Sequence, residues 1–147
     1  MNLPPVNGNT SVLRWIFGIA VPFFWITALF FPAYSDGTPG IMCFAMGWTM
    51  IFSGNLFAFG AWFSNLPFWI SYFLVMFSRR SGAMNASMVL AVIALMLSFG
   101  SLTVTEVMQN EAGFVQAVHP SVSVYIWLTA NVLLGAGAVM IRKRSAT

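Results

Sequence analysis

Charged residues are scarce in this chain. Only 6% of its 147 residues are charged, against roughly 25% in an average soluble domain, while 59% are hydrophobic and 16% are aromatic. Such a composition leaves no room for a separate soluble domain. It predicts an all-α fold, with one polytopic transmembrane domain over 1–147.

Cysteine and histidine each occur once, as Cys43 and His119. A single cysteine excludes an internal disulfide and any cysteine-based metal cluster. His119 shares a polar connection with Glu106 and Glu111, but the three follow no known ligand spacing. Phosphate-binding loops, zinc-protease motifs and catalytic cysteine pairings are also missing. We therefore predict no metal, no cofactor and no enzymatic activity.

The basic residues do not form a surface for nucleic acid. The net charge of +3 comes from six bases in three small groups, each at the end of an apolar segment. These groups are Arg14, then Arg79 with Arg80, and finally Arg142, Lys143 and Arg144. Bases that flank membrane spans fix the orientation of the chain, so we predict no nucleic-acid partner.

Long apolar runs separate the charged groups. Three of them, at about 15–33, 83–104 and 121–141, have the length of one membrane span. The fourth, 41–78, would reach ~55 Å as a straight helix, whereas the hydrocarbon core is about 30 Å thick. This segment is too long for one regular crossing.

The distribution of the bases favours a single net crossing by 41–78. With one crossing there, all six bases lie on one side of the membrane, and the acids and His119 lie on the other. With two crossings, Arg14 is separated from one of the other basic groups. Because positive charge marks the cytoplasmic side, we predict four passes with both termini in the cytoplasm.

A single crossing requires an interruption in 41–78, and residues 64–67 are predicted to supply it. Pro67 is tolerated in the first turn of a new helix, and the residue before a proline resists the helical conformation. We therefore expect one helix over 41–63, a second that ends at Arg79, and some residues lying along the membrane interface.

Polar residues at depth are the candidate functional positions. Charges inside a span mark transport pathways, but the spans contain none, and Glu106 only follows the third span. Uncharged polar groups usually form hydrogen bonds between helices; the alternative is a substrate site centred on Asn65 at the broken helix. The candidate functional or packing residues are Asn55, Asn65, Pro67, Asn131 and Glu106.

Small residues follow one face of the third span. They are three or four positions apart, at Ala83, Ser87, Ala91, Ala94, Ser98 and Ser101. This spacing puts them on one side of a helix, where another backbone can approach closely. The pattern favours a packing seam within the bundle over a groove for a partner.

Four short motifs carry a resemblance to a known group. They are Gly37-Thr38-Pro39-Gly40, Trp62-Phe63-Ser64-Asn65-Leu66-Pro67, the turn with Arg79 and Arg80, and Tyr125-Ile126-Trp127-Leu128. Together they resemble a widespread group of small bacterial inner-membrane proteins that carry a PG turn, a W-L-A-N-P-like motif and a YYLWL-like segment. The inserted Leu66 is a departure from that pattern. The resemblance implies a four-span protein of the bacterial inner membrane and no particular activity.

The absence of a catalytic set, of charge within the spans and of a large exposed domain favours action through intramembrane contacts. We expect a non-enzymatic accessory or assembly subunit whose surroundings are the lipid bilayer and a membrane-protein partner or a second copy. Two alternatives stay open. One is an immunity protein against a membrane-targeting toxin, and the other is a small oligomeric transporter or channel subunit centred on the broken helix.

The four-pass topology can be tested by thiol labelling in a Cys43→Ser background. Ser81→Cys, beside the double arginine, should be protected from an impermeant reagent added outside, because that turn faces the cytoplasm. Gln116→Cys, in the predicted outer loop, should react. Labelling from outside at position 81 would refute four passes.

Overall fold

The computed structural model describes residues 8–108 and 115–145 and is mostly helical, which confirms the helical class. The helices are α1 Gly8–Phe30, α2 Gly40–Met46, α3 Leu56–Phe63, α4 Asn65–Phe77, α5 Ser81–Ser98 and α6 Val122–Ser145. Two 3₁₀ helices, Gly47–Ile51 and Phe99–Thr103, follow α2 and α5. Three helical segments are long and apolar enough to cross a membrane: Ser11–Phe30, Ser81–Thr103 and Val122–Arg144. They overlap the three single-length runs of the sequence.

The connection between α5 and α6 departs from a purely helical fold. Its strands, β1 Glu106–Met108 and β2 Val115–Ala117, pair in an antiparallel sheet. The loop after α1 lies against this connection, since the Ser35 N–H donates a hydrogen bond to the His119 carbonyl oxygen at 2.9 Å. Residues 31–39, 104–108 and 115–121 of the two connections define what we call the acidic end of the bundle. Glu111 lies outside the described residues.

Contacts at the opposite end bring the bases together. The Arg14 guanidinium, near the start of α1, donates hydrogen bonds to the carbonyl oxygens of Met76 at 3.1 Å and Ser78 at 2.9 Å. A buried apolar cluster joins α4, α5 and α6 beside it, through Val75, Met84, Ala138 and Ile141. The remaining bases follow α4 directly or end α6, at Arg79, Arg80, Arg142, Lys143 and Arg144. We call this the basic end.

The long apolar segment divides differently from the prediction. The single helix predicted over 41–63 is wrong, because the chain turns between the first 3₁₀ helix and α3. Gly54 has a φ of 75°, a conformation that favours glycine. The Asn55 side chain then caps α3 by accepting a hydrogen bond from the Ala58 N–H at 3.0 Å. Local turn chemistry here outweighs the continuous apolar pattern.

The predicted interruption at 64–67 is small. The helix assignment does change at Ser64, but its backbone keeps helical angles, with φ −57° and ψ −23°. The Ser64 N–H donates to the Gly60 carbonyl oxygen at 2.9 Å, and the Phe68 N–H donates to the Ser64 carbonyl oxygen at 3.0 Å. Pro67 falls in the first turn of α4, as predicted. Together α3 and α4 are roughly 33 Å long at ~1.5 Å per residue.

The small-residue face of α5 is a packing seam inside the bundle, in agreement with the prediction. Five of its six residues are buried: Ser87, Ala91, Ala94, Ser98 and Ser101. The Ser71 hydroxyl of α4 reaches this seam and donates a hydrogen bond to the Ser87 carbonyl oxygen at 2.8 Å. Gly100 continues the seam, where a Cβ would meet the Phe57 carbonyl oxygen of α3.

Gly100→Ala should destabilise the bundle, because the added methyl group meets a backbone atom, which cannot move aside as a flexible side chain can. We expect a cost of about 1–3 kcal/mol, the usual range for overpacking. Gly135→Ala is the matched control, since nothing lies within 4 Å of a Cβ there. Thermal unfolding in detergent should separate the two variants, and equal midpoints would contradict the close approach of α3 and the 3₁₀ helix Phe99–Thr103.

Candidate functional site

A cavity of about 1180 Å³ lies at the acidic end of the bundle. The end of α1, α3 and the start of α6 contribute to its walls, together with residues 40–55, which form α2, a 3₁₀ helix and the turn before α3. The volume is somewhat above the roughly 300–1,000 Å³ of ordinary ligand sites. The turn at Gly54 makes this wall possible, because residues 40–55 do not continue the axis of α3.

Phe44 of α2 attaches this wall to the bundle. Its ring meets the Trp25 ring of α1 edge to face, with 5.2 Å between ring centroids. Its carbonyl oxygen accepts a hydrogen bond from the Trp62 indole N–H of α3 at 2.7 Å. One residue therefore joins the wall to two helices.

Asn65 lines the cavity and joins α4 to α1. Its carboxamide oxygen accepts a hydrogen bond from the Trp25 indole N–H at 2.9 Å, and its nitrogen donates one to the Trp62 carbonyl oxygen at 2.8 Å. The interhelical hydrogen bond expected of a polar residue at depth is thus present. The same side chain also lines the cavity, so Asn65 both connects two helices and forms part of the cavity surface.

The acids are concentrated at this cavity. Of the three acids in the chain, Asp36 and Glu106 line it. The Asp36 carboxylate accepts hydrogen bonds from the Thr38 N–H at 3.0 Å and from the Thr38 hydroxyl at 2.6 Å. These bonds fix the loop after α1. Within the described part of the chain, no lysine, arginine or histidine lines the cavity.

Tyr34 stands beside these acids as a neutral donor. Burial raises the pKa of its hydroxyl far above the ordinary value, and the nearby Cys43 and Asp36 raise it further. The phenol therefore stays protonated at neutral pH. Its hydroxyl faces the Ser101 carbonyl oxygen at 3.5 Å, the length of a weak hydrogen bond.

Six aromatic side chains also line the cavity. They are Trp25, Tyr34, Phe44, Phe52, Trp62 and Trp127. The sequence did not mark them as site residues, because an aromatic residue in a span has the same pattern whether it faces lipid or a cavity. Nor did it identify Tyr34 and Asp36, which reach the cavity only through the tertiary contact between the two connections.

The structure brings together three of the five candidate positions: Asn55, Asn65 and Glu106 line the cavity. Pro67 is buried outside it. Asn131 is 1% exposed and also lies apart, with its nitrogen bonded to the Trp127 carbonyl oxygen at 3.1 Å within α6. Its carboxamide oxygen has no hydrogen-bond partner in the described residues. Those residues also contain no group of three His, Cys, Asp or Glu side chains that could hold a metal ion.

The two asparagines provide a matched pair of variants. Asn65→Leu should cost about 0.6–2 kcal/mol, because it leaves the Trp25 indole N–H without its acceptor in a second helix. Asn131→Leu should change stability less, because it removes a buried oxygen that has no partner together with one hydrogen bond inside α6, and breaks no hydrogen bond between helices. Thermal unfolding in the same detergent measures both. Equal losses would show that Asn65 is not a special link between α1 and α4.

Comparisons with known proteins add no further guide to this site. No protein-family model, curated protein or solved structure matches the chain.

Proposed function

We propose that this protein is a four-pass protein of the bacterial inner membrane that binds an amphiphilic small molecule in the cavity at its acidic end. The observation that carries the proposal is the cavity itself, about 1180 Å³ in volume and lined by both aromatic and polar side chains. Ligand sites commonly combine a mostly apolar lining with a few placed polar groups.

The fourth pass of this proposal is α3 together with α4. Their combined length of roughly 33 Å is close to the ~30 Å hydrocarbon core, whereas neither helix alone would span it. The hydrogen bonds of Arg14 to the end of α4 support the same arrangement, because they hold two basic groups at one end. With that end in the cytoplasm, the cavity opens towards the outer side of the membrane.

The lining supports an amphiphile over a purely polar or purely apolar ligand. Tyr34, Asp36 and Glu106 belong to the connections, where they meet the polar part of a bound molecule. Trp25 and Trp62 belong to the helices and contribute apolar side chains to the lining, which suit its body. A molecule that enters from the membrane interface presents its two halves in this order.

This proposal belongs with the transport class considered from the sequence, because Asn65 at the helix junction lines the cavity. Binding without chemistry also agrees with a non-enzymatic protein. The accessory role through contact with another membrane protein, and immunity against a toxin, stay predictions.

A panel of three related probes tests the proposal. Tetraphenylphosphonium, triphenylphosphine oxide and tetraphenylborate share aromatic bodies of similar size and differ in charge. At least one of them should bind saturably to the purified full chain in detergent, as measured by equilibrium dialysis. Ala58→Phe, which fills the cavity, should weaken that binding by about tenfold, equivalent to ~1.4 kcal/mol.

Ala86→Phe is the matched control, because Ala86 is exposed on α5 and does not line the cavity. It adds the same ring and should leave binding unchanged. The proposal fails if none of the three probes binds saturably, or if Ala58→Phe and Ala86→Phe weaken binding equally.

A further inference from the structure

We infer that the basic end of the bundle binds the phosphate headgroup of an anionic phospholipid. The surface consists of Arg79 and Arg80, in the turn between α4 and α5, and of Arg142 and Lys143, near the end of α6. We call these four residues the basic surface. The inference concerns the end of the molecule opposite the cavity, and it does not rest on the ligand proposed for that site.

Buried packing brings together the two pairs of bases, which are distant in the sequence. Val75 near the end of α4, Met84 in the first turn of α5, and Ala138 and Ile141 near the end of α6 form one buried cluster. Arg142 directly follows this cluster on α6, and the turn with the double arginine joins the two other helices that build it. The fold therefore holds both pairs at the same end of the bundle.

The side chains of the basic surface are exposed and have no anionic partner in the described residues. The Arg142 guanidinium donates one hydrogen bond, to the Met88 sulfur of α5 at 3.5 Å, and a thioether is a weak acceptor. No hydrogen bond or ion pair ties the side chains of Arg79, Arg80 and Lys143 to that part of the chain. Most of their N–H donors are therefore free to bind a ligand with several oxygens.

Arg14 at the same end has a different role. Its guanidinium donates to the carbonyl oxygens of Met76 and Ser78, at 3.1 and 2.9 Å. These bonds hold the end of α4 against α1 and fix the start of the turn that carries Arg79 and Arg80. Orientation of the chain requires only that bases lie on one side of the membrane. A fixed turn beside the end of a second helix also gives the exposed bases a defined arrangement.

The charge of this surface favours an anion with phosphate chemistry. Asp36 and Glu106, the acids among the described residues, belong to the connections at the acidic end. Like charges held close together attract an anion, which relieves their mutual repulsion. Arginine presents paired N–H donors that match two oxygens of a phosphate, and lysine adds a point charge.

Exposed apolar side chains beside the bases favour a lipid over a soluble phosphate. Phe77 is 78% exposed and lies two positions before Arg79, and its ring stacks on the exposed Phe73 with 6.1 Å between centroids. Val139 and Met140, also exposed, precede Arg142 on α6. A lipid whose headgroup contacts the bases can lay its acyl chains along these side chains, whereas a soluble phosphate would use the bases alone.

The test compares dioctanoylphosphatidylglycerol with dioctanoylphosphatidylcholine, which have the same acyl chains and differ in net charge. The purified full chain in a non-ionic detergent should bind the glycerol lipid at least about tenfold more tightly, as measured by titration calorimetry after subtraction of a titration into protein-free micelles. This preference should fall as salt is added, because salt screens exposed charges.

Arg79→Gln and Arg142→Gln test the two halves of the basic surface. Each should weaken binding of the glycerol lipid by about fivefold, the contribution of one base near an anionic lipid surface, and leave the choline lipid unaffected. Gln116→Glu is the matched control, since it lowers the net charge by the same step but lies in β2 at the acidic end. If Arg142→Gln lowers the unfolding midpoint without lipid, Lys143→Gln replaces it with the same expected loss.

The outcomes also separate this surface from the cavity. Equal affinity for the two lipids, or an equal loss in Gln116→Glu, overturns the inference. Displacement of the lipid by an equal concentration of glycerol 3-phosphate would show a site for a soluble anion, which also overturns it. Ala58→Phe should leave lipid binding unchanged, and a loss there would place the lipid in the cavity instead. Failure of the three aromatic probes overturns the proposed function alone.

Discussion

The hydrogen bond between the Asn55 side chain and the Ala58 N–H caps the start of α3, within the long apolar segment. Backbone donors in an apolar surrounding must find acceptors, so a helix can begin there only where its first turn is capped. Asn55 meets this need directly after Gly54, whose positive φ reverses the chain. The turn at Gly54 and this cap separate residues 40–55 from α3, and residues 40–55 form one wall of the cavity.

The two ends of the bundle carry side chains of opposite charge. Arg14 places its charge on carbonyl oxygens at the end of α4, where the negative end of the helix dipole and unpaired acceptors favour a cation. The same interaction fixes α1 beside α4 and draws positive charge to one end. The acids are left with the two connections at the other end, where Asp36 shapes a loop through Thr38. Folding and charge separation therefore arise from the same contacts.

The sequence predicts the parts of this structure that depend on the length of apolar runs and on the spacing of residues along a helix. The apolar runs gave three helices, and the spacing of small residues gave the α5 seam, because both patterns are local. The proline at position 67 is a strong local signal and predicts a break at 64–67. In the structure, Pro67 fits the first turn of α4 with little disruption. The sharper turn at Gly54 depends on a side-chain cap. The cavity depends on contacts between distant residues such as Phe44 and Trp62, which no local pattern encodes.

The aromatic lining has a consequence for how this protein can be observed. Three of its six tryptophans, Trp25, Trp62 and Trp127, line the cavity at the acidic end. Two of them also have indole N–H groups engaged by Asn65 and by the Phe44 carbonyl oxygen, so their surroundings are fixed by the fold. Half of the tryptophans of the chain therefore lie at this site. Changes in the cavity should alter the intrinsic tryptophan emission, so the site can be followed without an attached label.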